Sequence, residues 1–462
     1  MPGFHIEHFG CRAARADGEA VGSRLRGAGL CERPPRAADV IVVNTCSVTA
    51  EADRAARAFI RKAHRENPAA KILVTGCYAQ RAPAELASMA GVAAVVGNSH
   101  KALAPEIILG LGPGPGVAFP PPHLLPVASL LAPAGSTTAP IWADDRFAHS
   151  FLEAAQLAPG EQTRPNLKIQ EGCSNRCTFC VIPQTRGSSR SLPAAGVLRQ
   201  VEGFVAAGGN ELVLSGINLG RWGRDLPQRA TLPTLVRQIL EQSALPRLRL
   251  SSIEPMDWTE ELIGLMTEFG GGRLARHAHL PLQSGSDAVL RRMHRRYRPW
   301  HYAEKVAALL RAAGPDLTLG ADVMVGFPGE TAAEFDETLA MIRALPFGYL
   351  HLFPFSPRPG TPGWALHAAQ PIPASLVEER MSVLRALASE KTRTHRSRFI
   401  GRQLDAIALH TPPALARRGR SAALSENFLP LELEGRLAAN RLVRVRVAGL
   451  TSESALHGLA AA

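Results

Sequence analysis

Apolar runs alternate with longer amphipathic stretches through the first 112 residues of the chain. The apolar runs cover residues 4–9, 39–43 and 71–76. A stretch rich in Ala and Arg after Thr49 carries acidic residues in its first turn and stops before Pro68, which predicts a helix. Strands that alternate with helices form parallel sheets. We therefore expect residues 1–112 to form a domain built on a parallel sheet.

The same alternation returns over residues 159–391, where apolar runs are again separated by helical stretches. The runs cover residues 166–170, 211–215, 247–251, 279–282, 322–325 and 349–353. Six such units predict an open (β/α)6 partial barrel, with a complete (β/α)8 barrel as the alternative. An open barrel suits a large ligand that enters from the side. In either barrel, chemistry belongs at the carboxyl ends of the strands.

Two further segments break the alternation. Residues 113–158 are rich in Pro, Gly and Ala without a sustained period, which predicts a linker. Residues 392–462 hold only short β-like runs, which predict a small β-barrel. The predicted fold class is therefore α/β, with a parallel sheet domain, a central partial barrel and a small C-terminal β-barrel.

Three cysteines at C-x3-C-x2-C spacing follow the first strand of the predicted partial barrel: Cys173, Cys177 and Cys180. Soft thiolates this close together select an iron–sulfur cluster, zinc or monovalent copper. A structural zinc site would want a fourth ligand nearby, and no histidine lies between Gln170 and Arg190. A four-iron cluster with three cysteine ligands has one open iron, and an open position marks chemistry.

Three more cysteines follow the strands of the N-terminal domain, one after each strand: Cys11, Cys46 and Cys77. Ligands of open α/β sheets bind outside the carboxyl ends of the strands, so we expect these three to converge. A single such cysteine is more often a small buried hydrophobe, but three at equivalent positions favour a second cluster with an open iron. Cys31 lies in a predicted loop and is expected to take no part.

The composition of the chain is that of an ordinary globular protein and excludes few functional classes. Of 462 residues, 46% are hydrophobic and 20% charged, as in packed globular domains. There is neither a signal-peptide pattern nor an apolar run of about eighteen residues, so we expect a cytoplasmic protein without membrane contact. Seven cysteines are too few for a disulfide scaffold.

The net charge of +12 favours an anionic partner, most simply nucleic acid. Most of the basic residues are arginine, which a GC-rich genome also produces without selection for binding. The densest basic run, residues 291–298, fits either a binding surface or a solvated helix face.

Residues 173–180, with Phe179 directly before the last cysteine, resemble the motif of the radical S-adenosylmethionine (SAM) superfamily. The resemblance implies that SAM chelates the open iron and that an electron from an external donor, passed through the cluster, cleaves SAM to a 5′-deoxyadenosyl radical. It places Phe179 against the adenine of SAM. The candidates for further contacts with SAM are strand-end residues whose types also form helix caps and turns. They are Gly216, Glu254, Gln283 and Asp322.

Residues 44–49 (Asn-Thr-Cys-Ser-Val-Thr) and 74–80 (Val-Thr-Gly-Cys-Tyr-Ala-Gln) resemble the methylthiotransferases, and the likeness runs nearly end to end. It implies that Cys11, Cys46 and Cys77 hold an auxiliary cluster. Three later stretches resemble the subgroup that acts on threonylcarbamoyladenosine (t6A) in tRNA. They are residues 215–220, 249–255 and 353–361.

The tail resembles the TRAM domain, an RNA-binding module, with residues 425–428 near the position of its usual Asn-Tyr. Arg444 and Arg446 alternate along one predicted strand and would share one face, which fits either a tRNA-facing surface or a solvated strand face.

Together these resemblances predict a tRNA methylthiotransferase that converts t6A at position 37 to its 2-methylthio derivative. It would use two SAM molecules and two [4Fe-4S] clusters. The alternatives are methylthiolation of isopentenyladenosine in tRNA or of a ribosomal-protein aspartate. An alternative of another class is a non-catalytic iron–sulfur protein that binds RNA or senses redox state.

Overall fold

The computed structural model describes residues 2–111, 138–147, 162–451 and 455–460. Most of the predicted linker, residues 113–137 and 148–158, lies outside the described residues. The N-terminal strands are β1 (Gly3–His8), β2 (Cys31–Glu32), β3 (Val40–Thr45), β4 (Lys71–Gly76), β5 (Val92–Gly97) and β6 (Ile141–Trp142). The helices are α1 (Arg12–Gly27), α2 (Ala50–Glu66), α3 (Cys77–Arg81), α4 (Pro83–Ala87) and α5 (Ala104–Leu111), with 3-10 turns at Pro35–Ala37 and Asn98–Leu103.

These strands form one parallel sheet in the order β2-β1-β3-β4-β5-β6. Alternate residues of β3 enter two separate cores, Ile41 and Val43 on one face and Val40 and Val42 on the other. A sheet covered on both faces accounts for the continuous apolar runs. Helix α2 begins as predicted, because the Thr49 side chain accepts a hydrogen bond from the Ala52 amide.

Two details of this domain differ from the sequence prediction. Cys31 opens the edge strand β2 beside β1, so its assignment to a loop was wrong. A two-residue strand is too short to give a periodic pattern, which explains the error. Strand β6 lies within the predicted linker and pairs with β5.

The central strands are β7 (Asn166–Glu171), β8 (Arg190–Ser191), β9 (Glu211–Gly216), β10 (Arg247–Leu250), β11 (His277–His279), β12 (Thr318–Val325) and β13 (Phe347–Pro354). The helices are α6 (Ile182–Arg186), α7 (Ala194–Ala206), α8 (Leu232–Gln242), α9 (Glu260–Phe269), α10 (Asp287–Arg292), α11 (Pro299–Ala313), α12 (Ala332–Ala344), α13 (Pro362–Ala369) and α14 (Ala374–Ser397). Two 3-10 turns cover Leu219–Arg221 and Pro255–Asp257.

Six parallel strands lie side by side in the order β7, β9, β10, β11, β12, β13. Isolated bridges, one of them between Ser252 and His279, join the β10 sheet to the β11 sheet. Within the described residues β7 does not pair with β13, so the barrel is open, as predicted. The fourth strand, β11, is three residues long and ends at His279, earlier than predicted, because Pro281 has no N–H to donate to a ladder.

The C-terminal strands are β14 (Gln403–Ala408), β15 (Arg420–Ser425), β16 (Pro430–Glu434), β17 (Leu442–Leu450) and β18 (Leu456–Ala460), with the short helix α15 (Pro413–Ala416). They close into a barrel in the order β14-β15-β16-β18-β17. The predicted fold class is therefore confirmed. Helix α14 runs through the predicted domain boundary at residue 391.

The small barrel docks on the partial barrel through the turn between β15 and β16. Phe428 in this turn has a φ of 69° and stacks on His277 at 4.2 Å. Glu426 accepts hydrogen bonds from Arg276, and Asn427 donates to the carbonyl oxygen of Asp316 at 2.9 Å. This turn therefore faces the partial barrel.

Candidate metal centres

The first group of cysteines lies at the carboxyl edge of the N-terminal sheet. Cys11 caps α1 just after β1, Cys46 follows β3, and Cys77 begins α3 just after β4. Because β1, β3 and β4 are neighbours in register, the three cysteines lie along one edge. Cys46 and Cys77 are buried, whereas Cys11 is exposed. We call these three the auxiliary group.

Two glycines allow the auxiliary group to come together. Gly10 has a φ of 113°, and a Cβ there would lie 2.6 Å from the Cys46 sulfur. Gly76 has a φ of 100°, and a Cβ there would lie 2.2 Å from the carbonyl oxygen of Thr45. Any side chain at either position would push the strand ends apart, so both positions require glycine.

Two buried side chains donate hydrogen bonds to the sulfur of Cys77. Asn98 Nδ2 lies 3.4 Å from this sulfur and also contacts the Thr185 carbonyl oxygen at 2.8 Å. Arg186 Nε lies 3.3 Å from it. Thr185 and Arg186 belong to α6 of the partial barrel, so the central domain completes the surroundings of the auxiliary group.

An ionic cluster holds Arg186 in place at the boundary between the two domains. Arg186 Nη1 donates to Asp17 Oδ2 at 3.1 Å and to Glu171 Oε1 at 2.6 Å. Lys101 and Lys168 pair with the same Asp17, and Lys168 also pairs with Glu171. Three cations and two carboxylates leave one net positive charge beside the thiols. We call these five residues the junction cluster.

The second group lies in the loop between β7 and α6 and consists of Cys173, Cys177 and Cys180. We call it the radical group. Gly172 before it has a φ of 69°, and a Cβ there would meet the Ser188 carbonyl oxygen at 2.0 Å. The Thr178 carbonyl oxygen accepts from the Gly363 amide at 2.7 Å. These contacts fix the loop at the carboxyl end of the first barrel strand.

The radical group also has a buried arginine on one sulfur. Arg295 Nη1 lies 3.4 Å from the Cys177 sulfur, and Nη2 lies 2.7 and 2.5 Å from the two carboxylate oxygens of Glu254. Arg295 Nε contacts the Tyr297 hydroxyl at 3.3 Å. Asn218 Nδ2 lies 3.5 Å from the Cys173 sulfur. The backbone amide of Asn175 also donates to the Cys173 sulfur, at 3.4 Å. Counting side chains alone, each group has one arginine and one asparagine as donors to its sulfurs.

Burial shifts the pKa of thiols in both groups. Burial, followed by the charges of Cys77 and Cys11, raises the pKa of Cys46 to about 12. Burial likewise raises the pKa of Cys180 to about 12. Without a bound cation these thiols stay protonated at neutral pH. A metal is the kind of partner that converts them to thiolates.

The residues predicted to contact SAM lie on the strands of the partial barrel or in the loops that follow them. Gly216 ends β9, and a Cβ there would lie 2.9 Å from the Gln170 Cβ. Gln283 has a φ of 62°, and its buried Oε1 has no hydrogen-bond partner in the part of the chain that the structure describes. A strained residue with an unsatisfied buried oxygen fits a ligand contact. Phe179 is half-buried beside the barrel core.

Glu254 and Asp322 are already engaged by protein groups. Glu254 pairs with Arg295, and Asp322 Oδ1 lies 3.3 Å from His279 Nε2 and 3.2 Å from His351 Nδ1. Burial opposes ionisation of Asp322, but these two histidines hold the pKa of its carboxyl well below the usual value. Contact of either carboxylate with SAM stays a prediction.

The auxiliary and radical groups face one junction between the domains. Helix α6 begins two residues after Cys180 and ends at Arg186, which contacts Cys77. On the other side, Arg358 pairs with Asp53 at 2.7 Å and donates to the Val48 carbonyl oxygen at 3.3 Å. The edge of the N-terminal sheet therefore covers the carboxyl end of the partial barrel.

Residues 3–97 match the family described as Uncharacterized protein family UPF0004, and residues 167–342 match the Radical SAM superfamily. The chain is 34% identical over 433 residues to Threonylcarbamoyladenosine tRNA methylthiotransferase MtaB of Bacillus subtilis, with 94% of this chain and 90% of that protein covered. It is 31% identical to tRNA-2-methylthio-N(6)-dimethylallyladenosine synthase of Parafrankia sp., with 98% and 85% covered. The chain belongs to the radical SAM methylthiotransferase family.

This methylthiotransferase shares its fold with TsrM of Kitasatospora setae, a radical SAM methyltransferase, at a TM-score of 0.52 and 14% identity. The match covers 76% of this chain and 72% of TsrM. The predictions of family and of a transferase enzyme are confirmed. Among the described residues, no helix has both the length and the apolar character needed to cross a membrane.

Membership of the radical SAM superfamily implies SAM and a four-iron cluster, and the residues present fit such groups. Each group offers three thiols, the ligands that iron–sulfur clusters take. Asn98 and Arg186 donate to the Cys77 sulfur and Arg295 donates to the Cys177 sulfur, which are the kind of hydrogen bonds that cluster sulfurs accept.

Sequence reasoning missed the donors to the cysteine sulfurs. Arg295 lies in the basic run that was interpreted as a binding surface or a solvated helix face, yet it is buried at the radical group. Its neighbours Arg292 and Arg298 pair with Glu334 and Asp287. Arg186 follows the cysteine motif closely, and this proximity was the available signal.

Proposed function

We propose that this protein methylthiolates C2 of t6A at position 37 of tRNA. The observation that carries the proposal is a likeness over nearly the whole chain to the Bacillus subtilis protein named for t6A in tRNA. Proteins of the same printed name from Rickettsia prowazekii and Aquifex aeolicus are 31% and 33% identical to this chain. The sequence stretches that suggested the t6A subgroup point the same way.

The residues proposed to hold the metal centres are the six cysteines of the auxiliary and radical groups. When bound, the radical cluster would pass on the electron that cleaves SAM, and the auxiliary cluster would hold the sulfur that is transferred. Gln283 is proposed to orient SAM through its buried Oε1, and Phe179 to lie against the adenine. The domain junction excludes water from Cys46 and Cys77, which are 4% and 2% exposed.

The partners proposed for the protein are tRNA, SAM and a reducing electron donor, in the cytoplasm. Arg444 and Arg446 are exposed on one face of β17, alternating with buried Val445 and Val447. Exposed arginines on a small barrel suit contacts to phosphates. Since the turn around Phe428 packs on the partial barrel, we assign RNA binding to this strand face and not to that turn.

The second candidate substrate is isopentenyladenosine in tRNA, which is also called dimethylallyladenosine. This chain is 32% identical to tRNA-2-methylthio-N(6)-dimethylallyladenosine synthase of Geobacter metallireducens. Nucleoside mass spectrometry of tRNA from a deletion strain separates the two. We expect the strain to lose 2-methylthio-t6A and accumulate t6A, and the wild-type gene to restore the product. A Cys77→Ala gene serves as the matched control and should not restore it. Loss of the isopentenyl product instead would contradict the proposal.

A further inference from the structure

Arg186 connects the two groups of cysteines. It ends α6, the five-residue helix that begins two residues after Cys180, and its side chain is fully buried. From there it reaches the N-terminal domain and donates through Nε to the Cys77 sulfur at 3.3 Å. The contact crosses from one domain to the other.

The guanidinium of Arg186 is fixed in orientation by the junction cluster. Nη1 contacts Asp17 and Glu171, so rotation would break two charged hydrogen bonds. In the described part of the chain, the buried Nη2 has no hydrogen-bond partner. A buried charged donor without an acceptor is costly, so this atom calls for a partner that binds there.

The surroundings of Nη2 indicate the chemistry of that partner. Nε–H and one Nη2–H lie on the same edge of the planar guanidinium, and Nε donates to the Cys77 sulfur at 3.3 Å. Nη2 therefore faces the side on which the Cys77 sulfur lies. The comparable Arg295 has all three nitrogens engaged, by Tyr297, Cys177 and Glu254. An open donor is thus found on the arginine of the auxiliary group and not on its counterpart.

We propose that Arg186 is a positioning residue of the auxiliary site and that its Nη2 donates a hydrogen bond to an anionic sulfur of the group bound there. The sulfur is either a sulfide of the cluster itself or a sulfide anion on its open iron. Hydrogen bonds to cluster sulfurs raise the reduction potential, because they stabilise the more negative reduced state. The inference rests on the proposed function, since it needs a cluster at Cys11, Cys46 and Cys77.

The test is a redox titration of the auxiliary cluster, followed by electron paramagnetic resonance. The parent is the full chain with Cys173, Cys177 and Cys180 changed to Ala, so that only the auxiliary cluster contributes. We expect Arg186→Gln to lower the midpoint potential by about 59 mV, which is a tenfold drop in the ratio of reduced to oxidised cluster at a fixed potential. Arg186→Lys keeps the charge and should show a smaller drop.

Arg295→Gln in the same parent is the matched control, and its auxiliary potential should equal that of the parent. Titrations with and without added sodium sulfide distinguish the two sources of sulfur. Because Nε already donates to the Cys77 sulfur, a shift in Arg186→Gln without added sulfide assigns the action of Arg186 to the sulfurs of the cluster and of its ligand Cys77. A shift that appears only with sulfide assigns it to the anion on the open iron.

An unchanged potential in Arg186→Gln, with and without sulfide, would overturn the inference. If that variant retains no auxiliary iron, Arg186→Lys decides by the same criterion. If both variants lose the auxiliary iron, each substitution is also made in the chain that keeps Cys173, Cys177 and Cys180. Retention of the radical cluster in those proteins would support the inference. Loss of both clusters would mean general packing and overturn it. If the parent itself binds no cluster, the proposed function fails instead.

Discussion

The auxiliary and radical groups each offer three thiols, but the two groups are built in different ways. The radical group lies within one loop of eight residues, from Cys173 to Cys180, so its geometry is largely local. The auxiliary group is collected from the ends of three strands between residues 11 and 77, and needs the register of β1, β3 and β4. The radical group therefore depends on one loop, and the auxiliary group on the fold of a domain.

The two arginines that donate to the cysteine sulfurs show the same difference between the groups. Arg295 and its partner Glu254 belong to the same domain as the radical group. Arg186 belongs to the central domain but serves Cys77 of the other domain, and its counter-ion Asp17 is also in the N-terminal domain. The auxiliary site is thus complete only when both domains are docked, whereas the radical site is complete within one.

The largest expected effect is a separation of the two activities. Cys177→Ala should abolish cleavage of SAM to 5′-deoxyadenosine, because the radical cluster loses a ligand. Cys77→Ala should retain that cleavage and form no methylthio product, because the radical loop does not depend on the auxiliary thiols. Both products are measured by mass spectrometry after anaerobic reaction. Methylthiolated product from Cys77→Ala would remove the distinction between the groups.

The next effect concerns the stability of the domain junction. The Asp17→Asn substitution leaves Glu171 as the one carboxylate of the junction cluster, beside the three cations Lys101, Lys168 and Arg186. We expect it to lower the free energy of unfolding by about 3–5 kcal/mol. Glu254→Gln should cost less, since Glu254 is partly exposed and has one cationic partner, Arg295. Denaturant unfolding of the apo proteins measures both. Equal losses would contradict a special role for the junction.

The pH dependence of the same variant gives a second measurement. Burial opposes the charge of Asp17, but Lys101, Lys168 and Arg186 hold the pKa of its carboxyl well below the usual 3.8. A depressed carboxyl pKa adds stability that is fully present above about pH 4 and is lost as the pH falls further. The difference in stability between wild type and Asp17→Asn should therefore shrink below pH 4. A constant difference down to pH 2 would count against the ion pairs.

A smaller effect applies to both groups alike. Because Cys46 and Cys180 each have a pKa raised by burial to about 12, iron binding must release their protons. Iron uptake by the apo protein should be faster at pH 8.5 than at pH 7, by up to about tenfold per pH unit if thiolate formation limits the rate. Anaerobic absorbance follows the uptake. Uptake that is independent of pH would show that the buried thiols are ionised beforehand.

The smallest effect is expected far from both groups. Changing Arg444 and Arg446 to Gln should make the slope of log binding constant against log salt concentration shallower by up to about two. Each phosphate contact contributes slightly less than one to this slope. Iron content and SAM cleavage should stay as in the wild type. Binding is measured across a salt series. An unchanged slope would make this strand face a solvated surface.

The sequence allowed the fold and the positions of the cysteines to be predicted, because both depend on local patterns. Apolar runs that end in a cysteine locate Cys11, Cys46 and Cys77 at one edge of a sheet without further knowledge. The contact of Arg186 with Cys77 joins residues of different domains, and no periodicity predicts how two domains dock. The pairing of Arg295 with Cys177 was hidden for a similar reason, since a buried arginine and an exposed one look alike in a basic run.

The most direct test of the account is the iron content of the anaerobically reconstituted protein. Two groups of three thiols, each holding a four-iron cluster, predict about eight irons per chain. Changing either group to Ala should leave about four irons at the other group. Full iron content in either triple variant, or about four irons in the unaltered chain, would contradict two separate clusters.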